Sequence, residues 1–258
     1  MPHIEKHAPG SFCWIELGTT DQKAAKEFYC ALLGWQAQEI AVGPGVDHIR
    51  FVLDGRSVAG CGAIPPDQAM PPNWSLYVAV EDAGETAARA EALGGTVLCP
   101  AADVATFGRM AGILDPTGAF FSIWQAKDRI GMGITGENGA FCWADLNTTD
   151  RRRAKAFYAA LFGWQLAPGK DKTDDSYLHI KTGDAYIGGI PPDEHRDRNA
   201  PPHWLIYFLV ADCDASTAKA VDLGGRVYAP PASVEPNLRF SVLADPQRAV
   251  FALFAGRV

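Results

Sequence analysis

The sequence predicts an α+β fold in which four β-α-β-β-β modules pair into two domains with concave mixed sheets. Three observations carry this. PGSFCWIELGTTDQKAAKEFYCALLGWQ (9–36) and NGAFCWADLNTTDRRRAKAFYAALFGWQ (138–165) align without a gap, so Asp150 stands 129 residues after Asp21. An acid, a helical pattern and a glycine recur four times: Asp21 to Gly34, Asp82 to Gly94, Asp150 to Gly163 and Asp212 to Gly224, at spacings of 13, 12, 13 and 12. Short alternating apolar runs follow each glycine, the period of half-buried strands. Repeats of this kind are read before any single element, because they define the architectural unit.

The elements follow in order. FCWIELGT reads as a first strand. Side chains alternate along a strand, so Cys13, Ile15 and Leu17 are expected to pack under a helix, with Phe12, Trp14 and Glu16 on the concave face. Asp21 or a neighbouring Thr caps the helix that follows, whose apolar positions Ala25, Phe28 and Leu32 keep the helical period, and Gly34 ends it in a left-handed turn. HIRFVLD (48–54) and VAGCGAI (58–64) are the next strands. The second module repeats the plan with a helix between Asp82 and Gly94, then TVLCP (96–100), MAGILD (110–115) and AFFSIWQ (119–125). Later echoes are IPPD at 64–67 and 190–193, PPNW and PPHW, LGGTV and LGGRV, and LDPTGAFF and ADPQRAVF. A single module offers one amphipathic helix and one sheet face, so modules must pair to bury both. The expected domains are 8–126 and 138–258, joined by the glycine-rich polar stretch 125–139.

Bulk properties narrow the function. A chain of 258 residues suits two domains that each bury a core without metal or disulfide staples. A net charge of −7 argues against nucleic acid or an anionic membrane as partner. No apolar run approaches the ~20 residues that span a bilayer, and the first residues carry no apolar signal core. The six cysteines form no CxxC pair, and are expected as reduced thiols in a cytoplasmic protein.

The motifs TTDQKAAKEFYCALLGW, TTDRRRAKAFYAALFGW, VEDAGETAARAEALGGTV, LDPTGAFFSIW and ADPQRAVFALF resemble the vicinal oxygen chelate superfamily, the glyoxalase, bleomycin-resistance and extradiol dioxygenase group. The resemblance covers residues 10 to 256. It is strongest to a tandem-domain branch of actinobacterial type that carries hydroxylase and glyoxalase-like labels. In metal-dependent members, the resemblance implies a His or Glu seven residues before the helix-capping acid and a Glu seven after the Asp of the DP turn. Those positions hold Trp14, Ser75 and Ser122 in the first half, and Trp143, Leu205 and Ala252 in the second. A divalent ion needs several oxygen or imidazole donors converging on one point. No metal and no cofactor are therefore expected.

What remains is an aromatic pocket with an acid beside it. Trp14 and Trp143 line or plug the two concavities. Glu16 and Asp145 are the candidate catalytic acids, the alternative being solvated or capping carboxylates at strand ends. Ser75, Tyr77, Ser122, Trp124 and Tyr207 share the concave parity as candidate ligand contacts. His203 has the same parity beside two prolines, where a rim position competes with an acid–base role. Arg109 and Arg239 are read either as anchors for an anionic ligand or as ion-pair partners of nearby acids. Arg151–Arg153 are expected on a solvated helix face. The expected function is metal-free binding of a planar aromatic or quinone-like small molecule. The alternative is a cofactor-independent or partner-assisted hydroxylase, oxygenase or isomerase, with a metal-dependent glyoxalase or extradiol dioxygenase less favoured. The first half keeps more polar concave groups and is expected to be the active one, in a monomer or homodimer.

Overall fold

The computed structural model describes residues 4–43, 46–65, 67–68, 70–168, 176–235 and 237–256. Pro66 of the first IPPD, Gly45 and the last two residues lie outside them. The first half contains β1 (Phe12–Thr19), α1 (Gln22–Leu33), β2 (Gln36–Gly43), β3 (Val46–Leu53), β4 (Arg56–Ala63), β5 (Asn73–Ala79), α2 (Ala83–Ala92), β6 (Thr96–Val104), β7 (Gly108–Leu114) and β8 (Phe120–Ala126). The second contains β9 (Phe141–Asn147), α3 (Arg151–Phe162), β10 (Gln165–Pro168), β11 (Leu178–Thr182), β12 (Ala185–Ile190), β13 (His203–Leu209), α4 (Cys213–Asp222), β14 (Arg226–Glu235), β15 (Leu238–Ala244) and β16 (Val250–Ala255). Each half forms one eight-stranded sheet, ordered β2-β3-β4-β1-β5-β8-β7-β6 and β10-β11-β12-β9-β13-β16-β15-β14. The first strands of the two modules lie side by side at the centre and run antiparallel, while β1–β4 and β5–β8 are parallel. The sheets are mixed, as four paired modules require.

All four helices start at the expected acids. The Asp21, Asp82, Asp150 and Asp212 carboxylates accept from Ala24 N, Glu85 N, Arg153 N and Ala215 N, at 2.8–3.0 Å. These bonds satisfy amides that have no partner inside the helix.

The halves do not keep separate cores. One apolar cluster runs from Phe28, Tyr29, Trp35 and Trp74 of the first half to Phe141, Tyr158, Trp204 and Phe251 of the second. Polar bonds cross the junction in matched pairs. The Tyr29 hydroxyl donates to Asp245 Oδ2 at 3.1 Å and accepts from Trp74 Nε1 at 2.9 Å. Tyr158 donates to Asp115 Oδ2 at 3.0 Å and accepts from Trp204 Nε1 at 3.1 Å. Trp35 Nε1 donates to Gly139 O and Trp164 Nε1 to Gly10 O. The repeated FY, GW, PPxW and DP motifs are thus the fittings by which each half grips the other.

The connecting stretch is equally built in. Met132 is fully buried and Ile134 nearly so, so this glycine-rich segment is a packed strap rather than a solvated tether. Met132 N donates to Cys13 O at 2.7 Å and Gly133 N to Ser57 O at 2.8 Å.

That Cys13 carbonyl is available because β1 is irregular. The pairing of β1 with β5 shifts register between Phe12 and Trp14, and β9 with β13 shifts at the same place. A bulge puts one extra residue into the strand and breaks the alternation of faces. Two parity expectations are corrected by it. Phe12 and Phe141 lie in the shared core, edge-to-face with each other. Cys13 and Cys142 lie on the concave side, clustered with Tyr77 and Tyr207 respectively.

Candidate functional site

Past the bulge the alternation holds, and it aims Trp14, Glu16, Ser75, Tyr77, Ser122 and Trp124 at the first concavity. In register, Trp14 faces Tyr77 and Tyr77 faces Ser122, while Glu16 lies between Gly60 and Ser75. Tyr77, Cys13 and Ala79 form a small apolar cluster with Trp14, Met110 and Trp124. Trp14 joins this aromatic wall to the main core, against which it also packs.

The polar centre of the concavity is Glu16. Its Oε2 accepts from Trp14 Nε1 at 2.9 Å, and its Oε1 meets His48 Nε2 at 2.5 Å. His48 stands on β3, two strands from β1, and its imidazole crosses β4 over Gly60 and Gly62. A Cβ on Gly60 would lie 2.0 Å from Glu16 Oε2 and 2.8 Å from His48 Cε1. The pair exists because β4 has no side chain there. The His48 and Glu16 side chains keep 15% and 20% of their surface, so solvent reaches the pair. Burial lowers the His48 pKa, the Glu16 hydrogen bond and charge raise it, and the net shift is upward from 6.5. Among the described residues His48 Nδ1 is buried without a hydrogen-bond partner. Burial, then the Glu16 charge, push the Tyr77 phenol above its ordinary value, so it stays protonated and able to donate.

The second concavity has the same plan with different contents. Asp145 Oδ1 accepts from Trp143 Nε1 at 3.1 Å and from the Tyr177 hydroxyl, and its Oδ2 accepts from the Tyr207 hydroxyl at 2.8 Å. Trp143 Nε1 also reaches Tyr177 at 2.7 Å. Asp145 is 6% exposed. Burial raises its pKa against three lowering hydrogen bonds. Register places Gly189 opposite both His179 and Asp145, as Gly60 lies opposite Arg50 and Glu16. Tyr177 therefore takes the place of His48, two residues before His179. Its ring fills the space over Gly189, where a Cβ would meet the phenol at 2.0 Å. Leu205 and Ala252 close the wall. This carboxylate is satisfied by its own side of the protein.

The remaining candidates divide by face. Ser75 is concave, and its hydroxyl donates to Asn73 at 3.1 Å. Trp124 is a wall residue whose Nε1 is taken by Arg129 O at 2.9 Å. His203 sits at the entry to β13, with Nδ1 2.8 Å from Pro201 O. Arg109 and Arg239 lie on the opposite face from the concavities. Arg109 shares the parity of core residues Ala111 and Ile113 and donates to Ala101 O. Arg239 pairs with Asp214 of α4 through Nε and Nη2 at 2.5 and 2.8 Å. Alternation along β7 and β15 fixes this, because Met110 and Phe240 occupy the concave side. Arg151 is not on a solvated face: it donates to the carbonyls of Ser176 and Ile190. Burial, with Glu16 and Asp245, pushes the Cys61 thiol up to about 12, which leaves it unreactive at neutral pH.

The donor set does not fit a divalent ion. The expected positions hold indole, hydroxyl and apolar groups, and both Glu16 oxygens are already engaged. Among the described residues no three His, Cys, Asp or Glu side chains converge. Among the same residues no helix is long and apolar enough to cross a membrane.

The sequence model of the Glyoxalase/Bleomycin resistance protein/Dioxygenase superfamily matches residues 11–123, and that of a glyoxalase-like domain matches residues 143–254. The chain is 39% identical to a putative glyoxylase, CFP32, of Mycobacterium tuberculosis, covering 98% of this chain and 97% of that protein. It is 34% identical to the anthracycline biosynthesis protein DnrV of Streptomyces peucetius, covering 97% and 94%. In fold it is similar to the Mn(II)-bound glyoxalase from Novosphingobium aromaticivorans, with TM-score 0.65 and 18% identity over 95% of this chain and 82% of that one. It is also similar to the 2,3-dioxygenase LapB from Pseudomonas sp. KL28, with TM-score 0.63 and 14% identity over 98% and 94%.

Proposed function

The chain belongs to the glyoxalase/bleomycin resistance protein/dioxygenase superfamily, and we propose that it works through its first concavity as a metal-free site for a planar, oxygenated aromatic molecule. The observation that carries this reading is the contrast between two equivalent carboxylates. Glu16 is held by Trp14 and His48 in a solvent-reached, aromatic-walled concavity, whereas Asp145 is sealed by three donors of its own half. Aromatic walls with a few placed polar groups are the usual makeup of small-molecule sites, and indole and phenol faces suit a flat ligand. The anthracycline biosynthesis proteins among the relatives support a polycyclic oxygenated ligand.

A second reading concerns turnover at the same site, and the Glu16–His48 contact favours it. A carboxylate on one imidazole nitrogen fixes the ring and its tautomer, the arrangement by which a histidine is made a proton acceptor or donor. In this reading the protein moves a proton during isomerisation of the bound molecule, or during its hydroxylation by a partner enzyme that supplies dioxygen and two electrons.

The test is calorimetric titration of the intact, metal-analysed protein with 1,4-dihydroxyanthraquinone. One site per chain is expected, weakened about tenfold or more by Trp14→Ala and unaffected by Trp143→Ala. Equal losses in both variants, or binding that requires a stoichiometric divalent ion, would sink the proposal.

A further inference from the structure

Besides His48, the two concavities differ at a second position on β3, and in the first half it carries charge. Arg50 is two residues from His48 on β3 and so shares its face. Register sets it opposite Gly60, which lies opposite Glu16. Its guanidinium donates through Nε and Nη2 to Gln38 Oε1, at 3.2 and 2.5 Å. That partner is a neutral amide, and among the described residues no carboxylate pairs with the guanidinium. In the second half the equivalent residue is His179, whose ring packs edge-on against Trp143, Tyr177 and Tyr186.

We infer that Arg50 is the anchoring residue of the first concavity and that the ligand there is a planar aromatic acid, its carboxylate on the guanidinium and its rings along the Trp14 wall. This rests on the first concavity being the ligand site.

Three points support the assignment. The Glu16–His48 pair is neutral overall when His48 is protonated, and the upward shift of its pKa favours that state. Arg50 then adds to this face a positive charge that the pair does not offset. The other two arginines singled out in the sequence cannot serve, because Arg109 and Arg239 lie on the helix-packed face and Arg239 is ion-paired. The spacing also fits. Two strand separations place the Arg50 backbone about 10 Å from that of Glu16, with the guanidinium turned further out to Gln38 on β2, a span of at least about three fused rings. An arginine fork matches a carboxylate in geometry as well as charge.

The experiment compares anthraquinone-2-carboxylate with its neutral isostere anthraquinone-2-carboxamide, by quenching of tryptophan fluorescence in intact protein and in Arg50→Gln. The acid is expected to bind about tenfold or more tightly than the amide and to weaken with added salt. Arg50→Gln is expected to bring the two probes level, with most of the loss falling on the acid. Equal affinity in the unmodified protein, or a preference that survives Arg50→Gln, overturns the inference but leaves the ligand site standing. Absence of binding by both probes overturns the ligand site and the inference together.

Discussion

His48 reaches Glu16 across an intervening strand, and it does so over Gly60. The 2.5 Å contact between Nε2 and Oε1 spans β4 at the point where an added Cβ would lie 2.0 Å from the carboxylate. Gly60→Ala is therefore expected to separate the pair while leaving the strand in place, since this glycine has no positive φ. The cost should be about 1–3 kcal/mol, typical of overpacking. Ligand affinity should fall as far as in His48→Phe. A crystal structure of the variant with the contact intact would contradict the account.

The same contact sets a pH dependence. Burial pulls the His48 pKa down, and Glu16 more than offsets it. In Glu16→Gln the charge is gone and burial, the largest of the three causes, dominates, so the His48 pKa should fall below 6.5, which NMR titration of the imidazole carbons reads directly. A raised folded pKa means that the pairing contributes fully below about pH 6.5 and is lost as pH rises through the folded value. Glu16→Gln should reverse this, losing stability as pH falls below 6.5. Melting curves between pH 5 and 9 for both proteins check it.

Much of this was legible in the sequence, and what was not has physical causes. The gapless repeat placed Trp14 and Trp143 as equivalents, and the four acids located all four helix starts. Periodicity alone did not find His48. HIRFVLD reads as an ordinary strand, and the partner of its histidine lies two strands away in a register that no local pattern encodes. The faces of Phe12 and Cys13 were misread because a bulge breaks alternation without leaving a compositional mark. The repeat also could not say that Tyr29 bonds Asp245 of the other half rather than its own Asp115. Internal homology gives equivalence, not partnership. Finally, the tryptophans do more than fill a space: each holds the acid two residues along its own strand.

The cross-half bonds make a stability prediction. Tyr29→Phe removes one hydroxyl that serves both Trp74 Nε1 and Asp245 Oδ2. Both partners are buried, so the loss should be about 2–4 kcal/mol. Tyr158→Phe should match it through Asp115 and Trp204. Because the core is shared, each variant should unfold in a single transition at lower denaturant, with an unchanged slope. Two separated transitions would mean that the halves fold independently.

The last prediction concerns the turn after β15, where the second half departs from the first. Asp115 and Asp245 each fold a tight turn by accepting two backbone amides. The first turn closes with Gly118 at φ +100°, and the second closes with Arg248 at φ +85°. An L-residue in that region crowds its Cβ against the backbone, at about 1–2 kcal/mol. Glycine removes that strain but gives the unfolded chain more freedom, which returns about 0.5–1 kcal/mol of the gain. Arg248→Gly should therefore stabilise the protein by about 0.5–1 kcal/mol, an increase in Tm of about 1–4 °C for a chain of this size. Arg248 belongs to neither concavity, so ligand affinity should not change. Differential scanning calorimetry decides the point. A lower Tm would show that the Arg248 side chain contributes more than its backbone costs.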